Sequence, residues 1–240
     1  MNTKIEIEKN KRGAEDFRKA ISSTVFVQAK HGAVIVGNEH TGTRDPWMFD
    51  FRALMLQPKW LTRYAELFWE RYQHKLPFQV GGIETAGIAL VAAIVMKGVE
   101  LGHPVNCFYV RKSRKRQGLM KYIEGTLTDE PVILVDDLMN SGQSVNKQID
   151  ILTREGREVT DVFVILTFRT DDAYAFLKDK NVTLGHLFTL PDFGIPLLNT
   201  KDASSAQDAF RTIWHYTAPS PSFHLVVQKS APVLDAERIY

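Results

Sequence analysis

Two adjacent aspartates, Asp136 and Asp137, close an apolar run, VILV, and are followed within a few residues by Asn140, Ser141, Gly142, Gln143 and Ser144. These residue types do chemistry together. A short loop of small polar residues between a buried strand and a helix aims several backbone N–H groups at one point, with the helix dipole behind them. A phosphate fits such a cup, and Gly142 allows the backbone to approach it closely. The carboxylates cannot bind that phosphate, so they serve something beside it: sugar hydroxyls or the water shell of a metal. A sugar phosphate is the simplest ligand that satisfies both halves. The competing interpretation is an aspartate helix cap with a turn, but a cap needs one acid rather than two.

Three further segments carry candidate chemistry. Gly81 to Ala89, GGIETAGIA, again sits between a strand and a helix. It is neither GxGxxG nor a Walker loop. Its glycines either bring the backbone close to a second anion or serve turn geometry and helix–strand packing. Tyr109 to Gly118 crowds Arg111, Lys112, Arg114, Lys115 and Arg116 into one stretch. With no apolar period up to Thr128, it reads as the start of a long loop, and a cationic lid over a diphosphate accounts for it better than a solvated face or a nucleic-acid patch. Arg169 ends another apolar run; its guanidinium either takes a carboxylate bidentately or pairs with Asp171 or Asp172. The histidines lack metal-ligand spacing, and the tryptophans default to packing.

The elements that must position these groups follow from periodicity. A helix is expected from Ala14 to about Lys30, with Phe17, Ala20, Ile21 and Val25 at helical spacing, then a short strand at Val34 to Val36 and a polar loop. Pro58 opens a second helix striped by Leu61, Tyr64, Ala65, Phe68 and Tyr72. Strand and helix then alternate. Strands are predicted near Phe78–Val80, Asn106–Arg111, Val132–Val135, Val159–Phe168 and Leu184–Leu190. Helices are predicted near Ala86–Leu101, Ser144–Glu155 and Asp172–Lys178, with Gly102 and Gly156 marking two helix ends. Continuously apolar strands imply a parallel sheet covered on both faces, in an α/β fold with ligands at the C-terminal strand ends. Thr217 to Phe223 reads as a Pro/Ser linker, followed by a strand-like HLVVQ that adds an edge strand or opens a further β domain.

Composition narrows the classes. Of 240 residues, 44% are hydrophobic, ordinary for a globular core, and a net charge of +2 argues against a nucleic-acid or membrane binder by bulk electrostatics. The single Cys107 excludes an internal disulfide, fits a reducing cytoplasm and reads as an inert core thiol. The longest apolar run, Ile88 to Met96, is far short of the roughly 20 residues of a membrane span. The charged N-terminus lacks the apolar core of a secretory signal.

Taken together these motifs resemble the type I phosphoribosyltransferases, most closely the orotate phosphoribosyltransferases, over roughly residues 14 to 190. VILVDDLMNSGQS matches the family signature for phosphoribosyl pyrophosphate (PRPP). GGIETAGIALVAAI looks like the pyrophosphate loop and its helix. VRKSRKRQG is similar to the catalytic loop VRKxxKxHG, and GTRDPWMFDFR to the N-terminal SPYYFDLR element. FR at 168 and 169 falls where the family keeps a base-carboxylate arginine. The resemblance implies a central parallel sheet flanked by helices, with an N-terminal helix and hood over 1–58, a PRPP-binding core over 59–200 and a C-terminal segment over 201–240. It implies catalytic roles for Lys115, Asp136 and Asp137. PRPP contacts would come from Gly82, Glu84, Thr85, Arg111, Lys112, Asn140, Ser141, Gly142, Gln143 and Ser144, and base contacts from Arg169, Phe49 and His40. Mg²⁺ would be carried on PRPP and water, with Asp136 the one candidate for direct contact. A homodimer is implied, its loops reaching the neighbouring site.

The chain departs from the family pattern at three positions: Gln117 replaces the loop histidine, Asn140 replaces a threonine of the phosphate loop, and His40 stands where a lysine is expected, unless Lys30 substitutes for it. The expected function is Mg²⁺-dependent transfer of ribose 5-phosphate from PRPP to orotate or a similar pyrimidine, with release of pyrophosphate. The alternative is a regulatory module that senses PRPP or a nucleotide without turning it over.

Overall fold

The computed structural model describes residues 13–28, 36–37, 44–45, 47–111 and 122–198. In chain order, helix α1 (13–20) runs into a π-turn at Ile21–Val25 and is followed by strands β1 (Phe26–Gln28), β2 (Val36–Gly37), β3 (Arg44–Asp45) and β4 (Trp47–Phe49). Helices α2 (Arg52–Met55) and α3 (Pro58–Tyr72), strand β5 (Gln79–Ile83), helix α4 (Ala86–Glu100) and strands β6 (Cys107–Val110), β7 (Ile123–Gly125) and β8 (Val132–Met139) come next. Helix α5 (Gln143–Arg154), strand β9 (Val159–Thr167), helix α6 (Ala175–Asp179) and strand β10 (Thr183–Thr189) complete the set.

Six strands form the central sheet in the order β10-β9-β8-β5-β6-β7. Alternation along the middle strands explains their continuously apolar sequence. Ile133, Val135, Phe163 and Ile165 join one buried cluster with side chains of α1, α3 and α4, while Val132, Leu134, Val162 and Val164 join a second with α5 and α6. Both faces are covered, so no strand position can be polar without a partner. Each such side chain stabilises the fold by roughly 1.5–3 kcal/mol.

The sheet is not wholly parallel as expected. β7 pairs antiparallel with β6, Val110 opposite Ile123, whereas the other neighbours are parallel. The stretch after the basic run therefore returns beside the strand it left. Three residues are too few to show a period, which is why Tyr122–Thr128 reads as loop in the sequence.

Other boundaries also move. The first helix ends at Val25 rather than near Lys30, because Phe26 turns into a strand against β4 and its ring stacks on Phe49 at 4.8 Å. β2 begins at Val36, and positions 34 and 35 of the expected strand lie outside the described residues. α3 starts at Pro58 as predicted, with Gln57 extended before it (φ −88°, ψ 126°). The helix expected over Asp172–Lys178 is a 3₁₀ turn, Asp171–Tyr174, leading into α6. β8 does not stop at Val135: its ladder with β9 continues through Asp136 opposite Val164 and Leu138 opposite Leu166. The acidic pair thus sits inside the last turns of the ladder. The linker and strand expected in the C-terminal segment lie outside the described residues, and among those described no helix is long and apolar enough to cross a membrane.

The N-terminal elements form a cover over one end of the sheet. Phe49 lies 6.1 Å from Phe51, 5.9 Å from Phe168 at the end of β9, and 5.3 Å from Phe193 (ring centroids). This aromatic contact ties the β4–α2 corner to the C-terminal strand ends.

Candidate functional site

Where the chain leaves β5 and β8, two βα turns and the β4–α2 corner enclose one cleft of about 380 Å³. This falls within the range of roughly 300–1,000 Å³ usual for small-molecule sites. Its wall contains Phe49, Asp50, Phe51 and Arg52 from the cover, Glu84, Thr85 and Ala86 after β5, and the continuous stretch from Asp136 to Val145. The position is the one expected for a doubly covered sheet.

The acidic pair is held by its own backbone. The amide of Asp137 donates to Asp136 Oδ1 at 2.9 Å, and the amide of Leu138 donates to Asp137 Oδ1 at 2.8 Å. Each carboxylate is thereby fixed at the rim while it remains half-exposed to the cleft. The turn after it ends at Gly142, which caps α5 with φ 74°. A Cβ there would come within 2.8 Å of the Phe176 ring, so glycine is required both by its dihedral and by its neighbour.

Gly142 has no side chain to satisfy the first amides of α5, and no side chain caps this helix. The helix's own first acceptance from this turn is Asn146 N–H to Gly142 O, at 2.8 Å. The amide of Gln143 donates to Ser141 Oγ at 3.4 Å. A cluster of N–H groups at the positive end of a helix dipole is therefore presented to the cleft, flanked by the exposed Ser141 and Ser144.

The turn after β5 contributes the opposite side. Glu84 and Thr85 line the cleft, joined by a cis peptide bond. The glycines before them have another task. Gly82 is buried within β5, away from the cleft wall, and a Cβ on it would meet Gly87 O at 2.5 Å. Gly82 and Gly87 thus let α4 pack directly on the strand, and the packing alternative weighed for this motif describes them. Gly81 likewise makes room for Phe108 and Leu134.

The remaining predicted residues fall in three groups. Phe49 lines the cleft. Arg111 and Arg169 stand outside its wall. The main chain of Arg111 is tied to Tyr122 O at 2.8 Å, and its guanidinium lies 3.5 Å from Glu124, so it anchors the root of the basic loop. Arg169 donates through Nε to Asn140 Oδ1 at 3.0 Å, and Asp172 accepts from Thr170 Oγ1. Lys112, Lys115, Gln117 and His40 lie outside the described residues. Cys107 is a free, half-buried thiol whose pKa is pushed up by burial, as suits an inert group.

Asp50, Phe51 and Arg52 belong to the wall and were not singled out individually by the sequence. Arg52 Nε donates to Asp50 Oδ1 at 2.9 Å, which holds the Asp50 carboxyl below its usual range. Their only signal was membership of the GTRDPWMFDFR element. Among the described lining residues four are carboxylates, Asp50, Glu84, Asp136 and Asp137, against one cation, Arg52. A phosphate ester entering this cleft would need further positive charge beside it.

The site has counterparts in known proteins. No protein-family model matches the chain. The chain is 30% identical over 141 residues to an orotate phosphoribosyltransferase of Bradyrhizobium sp. (strain ORS 278), an alignment spanning 57% of this chain and 76% of that protein. Its fold is similar to a Mycobacterium tuberculosis H37Rv orotate phosphoribosyltransferase, with TM-score 0.63 and 20% identity over 76% of this chain and 99% of the other. A second crystal structure of that enzyme, in complex with PRPP, superposes with TM-score 0.57 and 18% identity over 76% of this chain and 92% of the other.

Proposed function

The chain belongs to the orotate phosphoribosyltransferase family, and we propose on that premise that its cleft binds PRPP and transfers ribose 5-phosphate to a pyrimidine such as orotate, releasing pyrophosphate. The single observation that carries this reading is the convergence of Asp136, Asp137, the Asn140–Ser144 turn and the Glu84–Ala86 turn on one cavity. The M. tuberculosis relative, crystallised with PRPP, has the same fold.

The 5-phosphate would seat in the Asn140–Ser144 turn, against the amides of α5. Asp136 and Asp137 would accept hydrogen bonds from the two ribose hydroxyls, which fixes the ring and aims C1 across the cleft. The diphosphate would lie toward Glu84, Thr85 and Ala86, covered by the basic loop with Lys112 and Lys115, rooted at Arg111. Phe49 and Phe51 would offer an aromatic wall to a flat base. The C1–O bond to pyrophosphate would break as a ring nitrogen of the base bonds to C1, and the proton that nitrogen loses would be taken up by the departing diphosphate. Positive charge develops at C1 and negative charge on the departing diphosphate. The protein's part is positioning and electrostatics, with no covalent nucleophile required.

Mg²⁺ belongs to this reading. Among the described residues no group of three or more His, Cys, Asp or Glu stands close enough to hold a metal, but the wall is rich in carboxylate oxygen, the donor a hard cation prefers. Asp136 and Asp137 would hold such an ion through its water shell. When bound it would neutralise diphosphate charge that the wall itself repels. A homodimer completes the reading, with each basic loop serving the neighbouring site.

Pyrophosphate release tests the proposal. Incubated with PRPP and Mg²⁺, the protein should release pyrophosphate when orotate is added, and much less with adenine. PRPP binding without release on orotate, uracil or purine bases would contradict transfer and leave a PRPP-binding regulator.

A further inference from the structure

We propose that Tyr174 is a positioning residue for this reaction: its hydroxyl clamps the end of β8, where the phosphate turn begins, to the end of β9, which leads into Arg169. The two strand ends then present the phosphate turn and the Arg169 guanidinium as one unit. The inference rests on the function proposed above.

Tyr174 lies in the 3₁₀ turn before α6 and is 3% exposed. Its hydroxyl lies 2.8 Å from Met139 O and 3.0 Å from Asn140 O, to which it donates. It accepts from the amide of Arg169, at 3.1 Å, and shares the amide of Phe168, at 3.3 Å, with Met139 O, which lies nearer at 3.1 Å. A phenol offers one proton and two lone pairs. Here the two carbonyls share the proton and the two amides take the lone pairs, so the group's capacity is filled by main-chain atoms of the two strand ends alone. Burial pushes the phenol's pKa up from its ordinary value.

Two other contacts make the clamp specific to the site. Arg169 Nε donates to Asn140 Oδ1 at 3.0 Å, a second cross-link between the same two ends. Two residues beyond Tyr174, the Phe176 ring packs directly behind Gly142. One short segment therefore supports the phosphate turn from Asn140 to Gly142. Tyr174 itself does not line the cleft, so it would act through Asn140 and Arg169.

Tyr174→Phe in the full chain tests this, because it keeps the ring and removes only the hydroxyl. Lys75→Met serves as a control that loosens β9 at its far end, through Asp161. Calorimetry with ribose 5-phosphate should show about tenfold weaker binding for Tyr174→Phe, the size of one lost hydrogen bond. The Lys75→Met protein, at comparable loss of thermal midpoint, should bind within about twofold of wild type by the additivity of distant sites. In turnover, KM for PRPP should rise more than kcat falls. Unchanged ribose 5-phosphate binding in Tyr174→Phe, or equal weakening in both variants, overturns the proposal while leaving the function intact. A wild-type protein that takes neither ribose 5-phosphate nor PRPP sinks the function and the clamp together. Should Tyr174→Phe fail to fold, hydrogen exchange on the wild type decides: the amides of Phe168 and Arg169 should slow when ribose 5-phosphate is added, and no slowing contradicts the clamp.

Discussion

At the scale of single residues, the turn after β8 is where sequence and geometry agree most closely. Asp136, Asp137 and the stretch from Asn140 to Ser144 were legible because chemistry restricts which types can stand there in that order, and all of them line the cleft. Glycines are less legible, since the same residue serves an anion, a turn or a close packing contact. Gly142 answers to a dihedral and to Phe176, whereas Gly82 answers to α4. Tyr174 and Arg52 gave no individual signal: a lone tyrosine reads as core and an arginine beside an aspartate reads as surface. Gly142→Ala should cost about 1–2 kcal/mol of stability from the left-handed dihedral alone. Its Cβ would also press on Phe176, so ribose 5-phosphate affinity should fall at least about tenfold, a loss of roughly 1.4 kcal/mol. Urea melts and calorimetry on the same preparation separate the two effects. Native affinity in a destabilised protein would show that the turn's shape is not what binds.

At the scale of elements, long periodic segments were legible and short ones were not. α3, α4 and α5 begin within a residue of expectation because proline, glycine and apolar spacing all agree. β7 and α2 are three and four residues long, too short for any period to show. The first helix gives way to β1 because a tertiary contact, Phe26 on Phe49, outweighs local helical spacing. One element depends on a charge that the sequence did not reveal. Asp161 in β9 is 1% exposed and is held by Lys75 Nζ at 2.7 Å and 2.9 Å, where the chain leaves α3. Removing the ammonium would strand a buried carboxylate. Because Lys75 is partly exposed, Lys75→Met should cost about 2–3 kcal/mol, somewhat less than a fully buried pair. Replacing both partners, as Lys75→Met with Asp161→Val, should recover much of that loss in thermal melts. A single variant as stable as wild type would show that water can replace the lysine.

At the scale of the whole molecule, the sheet brings together segments far apart in sequence. The β4–α2 corner, the turn after β5 and the turn after β8 meet only because β8 and β5 are neighbours and the Phe49 cluster ties the cover to β9. Fold class followed from apolar runs, but which residues of the cover face the cleft did not, because that depends on how α1, β1 and β4 pack across the strand ends. The assembled cleft is acidic among its described lining residues, so a polyanionic ligand must arrive with a cation or beneath the basic loop. The most direct measurement is calorimetry of PRPP with Mg²⁺ on the wild-type protein and on the double variant Asp136→Asn, Asp137→Asn, with folding checked by thermal melting. The account predicts a saturable one-site isotherm for wild type and a loss of at least about a hundredfold in the double variant, roughly 2.7 kcal/mol. Equal PRPP affinity in two equally folded proteins would contradict it.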